Sequence, residues 1–391
     1  MVTASEADQP EKDMRNRREE KKRQSLFSLA PLRHVLIVLS AMVIGLHLLT
    51  RGYREINNFL TEKFILPAHR AMAVFFDSFS FSFAEVLIGV SILTGVIYIV
   101  ASVIRLFSRP ERLKQLYRFV ITLVCAGLFI YALFCVMWGV YYYADDFQTK
   151  SGIPCEEISV DDLKLVTQYF ADLAGEYGRQ VKRDENGVYC EDRASILARS
   201  NEVYANAEKL YPCLEGPAVH AKGIYFSILM SYTDYTGFFF PFTGEANVNI
   251  HYPPCSLAAT VAHELAHQRG VAKEQEANFC AVLASLMYGD PDYCYSACYL
   301  AYIHLNNALY KVDYDSWLEI RNSLDYNVKA DISNNRAYWQ KFETPVQTVA
   351  NDIYEEFLQS YSQELGMQSY GACVDLLVNY YIDDARAHLA Q

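Results

Sequence analysis

The last 248 residues of this chain are poor in basic charge. Residues 144–391 carry 17 Lys and Arg against 35 Asp and Glu, a balance of −18. They contain no cluster of Lys and Arg, which excludes a protein that grips a nucleic-acid backbone. Glycine and proline are scarce, at 18 and 12 in 391 residues, while hydrophobic residues make up 52% and aromatic residues 14%. A disordered or low-complexity chain is therefore excluded, because the side chains that offset ordering entropy are abundant. No internal repeat is present. No small-residue cleavage site stands after the first apolar run, and a long charged tail precedes it, so that run does not read as a removable signal peptide.

What is present divides the chain in two. Residues 1–143 hold 17 Lys and Arg against 11 Asp and Glu, a balance of +6, and three apolar runs: His34 to Thr50, Phe83 to Phe107 and Phe119 to Tyr143. Each approaches or exceeds the roughly 20 residues that cross a bilayer core. The first is the shortest, with His34 and His47 near its ends. The tail before it carries Lys12, Arg15, Arg17, Arg18, Lys21, Lys22, Arg23 and Arg33, and the link between runs two and three carries Arg105, Arg109, Arg112, Lys114 and Arg118. The positive-inside rule puts both in the cytoplasm. Three spans then place everything after Tyr143 outside, with the aromatic segment Phe64 to Phe83 lying in the outer interface and Tyr141 to Tyr143 anchoring the end of span three. The expected organisation is a cytoplasmic basic tail (1–33), a three-helix transmembrane region (34–143) in contact with the lipid bilayer, and an extracytoplasmic domain (144–391).

Eight cysteines fall in that domain: Cys155, Cys190, Cys213, Cys255, Cys280, Cys294, Cys298 and Cys373. An oxidising compartment permits disulfides among them. Cys294 and Cys298 share a helix face, but no second pair has the spacing of a zinc finger, so disulfides or buried thiols are expected rather than a second metal. The fold class is α+β and mainly helical. Helical spacing covers 158–180, 193–211 and long stretches between 291 and 388, while the aromatic, Gly-punctuated stretch 223–252 reads as two or three short strands.

Those strands run into SLAATVAHELAHQRG. Ser256 is placed to cap a helix ending near Gln268, with Gly270 as its stop. His263 and His267, four residues apart, project from one face one turn apart, which suits two ligands of a tetrahedral Zn²⁺. Glu264 is the expected catalytic base, because a Lewis-acidic zinc acidifies water and a nearby carboxylate accepts the proton. The helix is otherwise apolar, a poor place for three polar side chains without a compensating metal.

A second helix begins near Lys273 and carries Glu274, Glu276 and Asn278. No histidine stands where astacin-type or matrix-type enzymes place a third one, so a carboxylate is expected there. The run EQEAN resembles the ExxAD helix of membrane gluzincins. That resemblance implies Glu274 as metal ligand and Asn278, in place of Asp, as the residue that supports a ligating histidine. Glu276 is the alternative metal ligand. Glu245, Asn247 and Asn249 alternate on the preceding strand, expected to be an edge strand that pairs with a substrate peptide, or else to be simply its polar side. His251, Tyr288, Tyr302 and His304 are candidates to stabilise an oxyanion.

Three N-terminal spans, FSFAE, FSILMS, PFTGEANVN, HELAHQRG, EQEANF and SYGACVDLL together resemble an uncharacterised bacterial membrane family, domain-of-unknown-function family 3810. The resemblance implies an extracytoplasmic HExxH domain on a membrane anchor. The function expected is a zinc-dependent metalloendopeptidase acting on extracytoplasmic proteins or peptides. A catalytically silent zinc-domain receptor or a cell-envelope binding or signalling protein is the alternative.

Overall fold

The computed structural model describes residues 26–154, 156–361 and 370–390. The basic residues from Lys12 to Arg23 and Cys155 lie outside the described residues. The main helices are α1 (Pro31–Thr50), α2 (Arg54–Leu60), α3 (Leu66–Asp77), α4 (Phe83–Ser108), α5 (Arg112–Met137), α6 (Phe147–Ser151) and α7 (Val160–Gly178). Three strands follow, β1 (Lys222–Ile224), β2 (Gly237–Phe240) and β3 (Glu245–Asn249). After them come α8 (Leu257–Gln268), α9 (Glu274–Tyr288), α10 (Pro291–Val312), α11 (Tyr314–Ser323), α12 (Tyr326–Trp339), α13 (Pro345–Ser360) and α14 (Tyr370–Leu389). The chain is thus mainly helical with one small sheet, as its periodicity predicts.

Among the described residues three helices, α1, α4 and α5, are long and apolar enough to cross a membrane. The third apolar run ends earlier than its composition suggests. Its α-helix stops at Met137, and Gly139–Tyr143 forms a 3-10 turn. Tyr141 is buried with its ring stacked on His69 at 5.9 Å, and Tyr142 packs on Tyr361 at 4.9 Å. These tyrosines face protein, which corrects their expected role as an interfacial anchor.

The chain forms two compact units. One comprises the described residues up to Leu49 together with Gly89–Val136. Within it His34 bonds the Tyr117 hydroxyl and Tyr98 stacks on Phe119. Apolar side chains such as Val90, Leu93, Ile97 and Val100 stay uncovered on α4. The other unit comprises Thr50–Ile88 and the described residues from Met137 onward. The segment 51–82 therefore packs with the C-terminal body, where α3 lies against β3 and buries His69 and Ala73.

In that second unit α7 packs along α10, and α14 covers both. The helix α8 is held between α9 and the sheet, burying Leu257, Val261 and Leu265. Side chains fix it lengthwise: Ser296 Oγ accepts the Ala259 N–H at 2.9 Å, and the Tyr204 hydroxyl donates to the Ala262 carbonyl at 2.8 Å. The strand order is β1-β3-β2, with β3 parallel to β1 and antiparallel to β2, Gly237 facing Val248. β3 is central, and all five of its residues are buried.

One further expectation needs correction. The stretch 193–211 is not one helix but breaks into Arg193–Ala198, Ser200–Glu202 and Ala207–Leu210. Ser200 diverts the chain, since its hydroxyl donates to the Leu197 carbonyl and accepts the Ala221 N–H, a local alternative to helix. Of the disulfides or buried thiols expected, the thiols are found: among the described residues no cysteine forms a disulfide, and Cys255, Cys280, Cys294, Cys298 and Cys373 are buried. Burial pushes these thiols up, Cys255 and Cys373 to about 12, so they behave as small apolar core residues.

Candidate metal centre

A 3-10 turn over Pro254–Ser256 leads into α8, and Ser256 makes no side-chain cap bond. The two prolines, rather than the expected serine cap, set where the helix begins. At the other end Gly270 adopts φ +91°, and its N–H and that of Val271 bond the His267 and Ala266 carbonyls. This turn swings the Val271 carbonyl to 2.6 Å from His267 Nδ1. The chain then enters α9 at Glu274.

The structure brings His263, His267 and Glu274 together. One donor atom from each lies within 4.8 Å of the other two. Glu274 Oε2 is 3.1 Å from His263 Nε2 and 3.6 Å from His267 Nε2. The remaining polar atom of each side chain is held from behind. His263 Nδ1 meets Asn278 Oδ1 at 2.8 Å, His267 Nδ1 meets the Val271 carbonyl, and Glu274 Oε1 accepts the Tyr354 hydroxyl at 2.7 Å. With these acceptors behind them both imidazoles donate from Nδ1 and turn Nε2 inward, an arrangement typical of ligating histidines. The donor set of two nitrogens and one carboxylate oxygen fits Zn²⁺ with a position left open.

Electrostatics follow from this crowding. Burial alone would lower His267, but Glu274 and Glu264 outweigh it and lift the imidazole to about 9. Burial alone would raise Glu274, yet the two histidines hold its carboxyl well below the usual range. Glu264 is buried beside them and is pushed up to about 7 by desolvation, with the histidines limiting the rise. Its Oε2 has no hydrogen-bond partner among the described residues. A carboxyl with that affinity takes and returns protons near neutrality.

β2 closes one side of the centre. A Cβ on Gly237 would fall 2.7 Å from Glu264 Cγ and closer still to Oε1, so only glycine lets the strand approach. Asn249 donates to the Thr236 carbonyl, and antiparallel alternation then directs the backbone groups of Gly237 and Phe239 to the outer edge. The Phe239 N–H is bonded to Glu264. Trp138 packs edge-on to His267 at 5.8 Å and Tyr235 edge-on to Tyr354 at 5.4 Å.

Several predicted site residues lie elsewhere. Glu276 turns away from the cluster and accepts the Phe147 and Gln148 N–H groups at the start of α6, so the structure does not bring it together with the two histidines. Glu245, Asn247 and Asn249 do not line a substrate groove, because β3 is the central strand. Glu245 accepts the Phe83 and Ala84 N–H groups at 2.9 and 2.8 Å, Asn247 accepts the Ser82 hydroxyl, and Asn249 donates to Ser231 and Tyr235. Of the oxyanion candidates, His251 bonds Tyr338, Tyr302 bonds Asn306 and Tyr288 bonds Glu202. His304 is buried, and burial with the nearby His263 charge pushes it down to about 4. Tyr354 and Gly237 were missed. Tyr354 lies 80 residues from Glu274 in sequence, with nothing local to flag it, whereas Gly237 stood visible as the lone glycine opening the GFFF strand.

A family described as "Protein of unknown function (DUF3810)" matches residues 61–378, well over half of the chain. The chain belongs to this family. No curated protein and no solved structure matches it. In this DUF3810 chain, two motifs distant in sequence meet. Ser82 to Ala84 of FSFAE bond to Glu245 and Asn247 of PFTGEANVN, and Glu85 accepts the Tyr225 and Phe226 N–H groups.

Proposed function

We propose that the C-terminal body is a gluzincin-like zinc metallopeptidase domain, held at the outer face of a cell membrane by three spans with the N-terminus in the cytoplasm. Its ligands are His263, His267 and Glu274, and its substrates are extracytoplasmic proteins or peptides. The observation that carries this reading is the support behind each ligand. Asn278, the Val271 carbonyl and Tyr354 each occupy the outward atom of one side chain and leave three donor atoms converging.

Zinc, when bound there, supplies a Lewis acid that polarises a peptide carbonyl and acidifies water. Glu264 accepts the proton at Oε2 and returns it to the leaving amine. The outer edge of β2, rather than β3, offers main-chain groups to an extended peptide. Gly237 keeps that edge within reach of Glu264, and Tyr354 fixes the carboxylate of Glu274. The test is the zinc content of the purified full-length protein with and without His263→Ala, together with shortened surface proteins in cells carrying wild type or Glu264→Gln. Wild-type protein free of zinc overturns the reading.

One observation favours the silent-receptor alternative. Glu245 and Asn247 tie the sheet beside the centre to the first turn of α4, so occupancy of the centre has a bonded path to a span. Equal phenotypic rescue by Glu264→Gln and wild type would select it.

A further inference from the structure

The segment 223–232, GIYFSILMSY, carries no charge, and neither does 78–83, SFSFSF. Both are aromatic, and they meet at Glu85. Its carboxylate accepts the Tyr225 N–H at 3.0 Å and the Phe226 N–H at 2.8 Å. The side chains held there point away from the protein: Tyr225 is 82% exposed, Phe226 61% and Leu229 63%. The flanking charges Asp77 and Lys222 pair with each other at 3.3 Å.

The position of Glu85 relative to a bilayer follows from α4. The uncharged stretch Val86 to Ile104 lies between Glu85 and Arg105. At 1.5 Å per residue it is about 29 Å long, close to the thickness of a hydrocarbon core. If α4 spans, the two charges fit the two interfaces. A loop whose backbone is bonded to the Glu85 carboxylate is then at the same depth. Large uncovered apolar side chains at that depth have a natural solvent in the boundary between headgroups and acyl chains.

We propose that the 225–229 loop is a membrane-interface element whose Tyr225, Phe226 and Leu229 insert into the outer leaflet on the side where α4 begins. The occupant is phospholipid, and the loop continues through Tyr235 into β2. This rests on the reading of α4 as a span, and the experiment separates the two. The full-length protein is reconstituted into phosphatidylcholine vesicles containing brominated phosphatidylcholine, with single tryptophans introduced as Phe226→Trp, Leu229→Trp, Val96→Trp and Tyr326→Trp. Quenching is read as the difference from wild type. The expected result is quenching at 226 and 229 by lipid brominated near the headgroup, quenching at 96 by lipid brominated deep in the chain, and none at the exposed position 326. Quenching at 96 without any at 226 or 229 overturns the loop and leaves the span. Absence of quenching at 96 overturns the span, and the loop falls with it.

Discussion

Glu245 and Glu276 are buried carboxylates that each take two backbone N–H groups from the first turn of a helix, α4 and α6 respectively. Glu264 and Glu274 sit in the same body, but their neighbours are imidazoles, a tyrosine hydroxyl and a strand edge. The first pair satisfies orphan helix donors. In the second pair one oxygen of Glu264 has no hydrogen-bond partner among the described residues, and one oxygen of Glu274 faces the two histidines. The difference separates carboxylates that hold the fold together from those available for chemistry, a distinction that residue type alone does not make.

The comparison breaks first at Glu264. Glu264→Gln is expected to keep zinc and lower hydrolysis by about 10²–10⁴-fold, the usual weight of a positioned general base. Zinc content and turnover of released substrate measure the two separately. Gly237→Ala comes next. The added methyl must displace Glu264 or the strand, and a shift of about 1 Å costs on the order of 10²-fold in rate. Zinc content should not change, and its loss would show that β2 supports the ligands rather than the base.

Glu245→Gln and Glu276→Gln test the other side. Replacing a side chain that accepts two N–H groups in a buried site is expected to cost about 1–3 kcal/mol, read from thermal or denaturant unfolding, with zinc stoichiometry preserved. A Glu276→Gln variant that folds normally but loses zinc would reinstate Glu276 as a ligand.

Helical geometry already contained part of this contrast. Glu274 and Glu276 are two residues apart, about 200° around α9, so they cannot face the same centre. Asn278 is four residues from Glu274 and returns to its face, as the EQEAN run implied. His263 and His267 were legible for the same reason. The role of β3 was not. Polar residues alternating on a strand look the same whether they meet solvent or the end of another helix, and only the packing of Ser82 to Ala84 decides which. Breaks within 193–211 and the inward turn of Tyr141 likewise depend on partners distant in sequence, Ala221 and His69. Tyr354 belongs to that class too, since nothing near it in the chain announces a hydrogen bond to Glu274.

Protonation separates the two regions further. Glu274 and Glu264 hold a proton on His267 up to about pH 9 in the metal-free protein. Zinc must displace it, so binding near neutrality should release about one proton from this group and strengthen about tenfold per pH unit until the imidazole is neutral. Calorimetry in buffers of different ionisation enthalpy measures the release. The sign for stability is the opposite. The folded protein binds this proton more tightly than the unfolded chain, whose histidine titrates near 6.5. The contribution to zinc-free stability is therefore full below that value and gone above about 9. A metal-free protein that gains stability across this window would place the proton elsewhere.

The smallest expected effect is at Asn278, and it probes what a neutral residue does where gluzincins carry a carboxylate. Its Oδ1 accepts from His263 Nδ1 at 2.8 Å, which fixes the ring and its tautomer without adding charge. Removing it in Asn278→Ala frees the ring and is expected to weaken zinc by about 10-fold, the lower end for residues that orient a ligand. Asn278→Asp keeps the acceptor and adds a negative charge behind the imidazole, making Nε2 a better donor, so zinc should bind at least as tightly as in wild type. Competition against a chelator of known affinity ranks the three proteins. If Asp and Ala weaken zinc equally, the asparagine acts through its amide group and size, and orientation by the acceptor oxygen is ruled out.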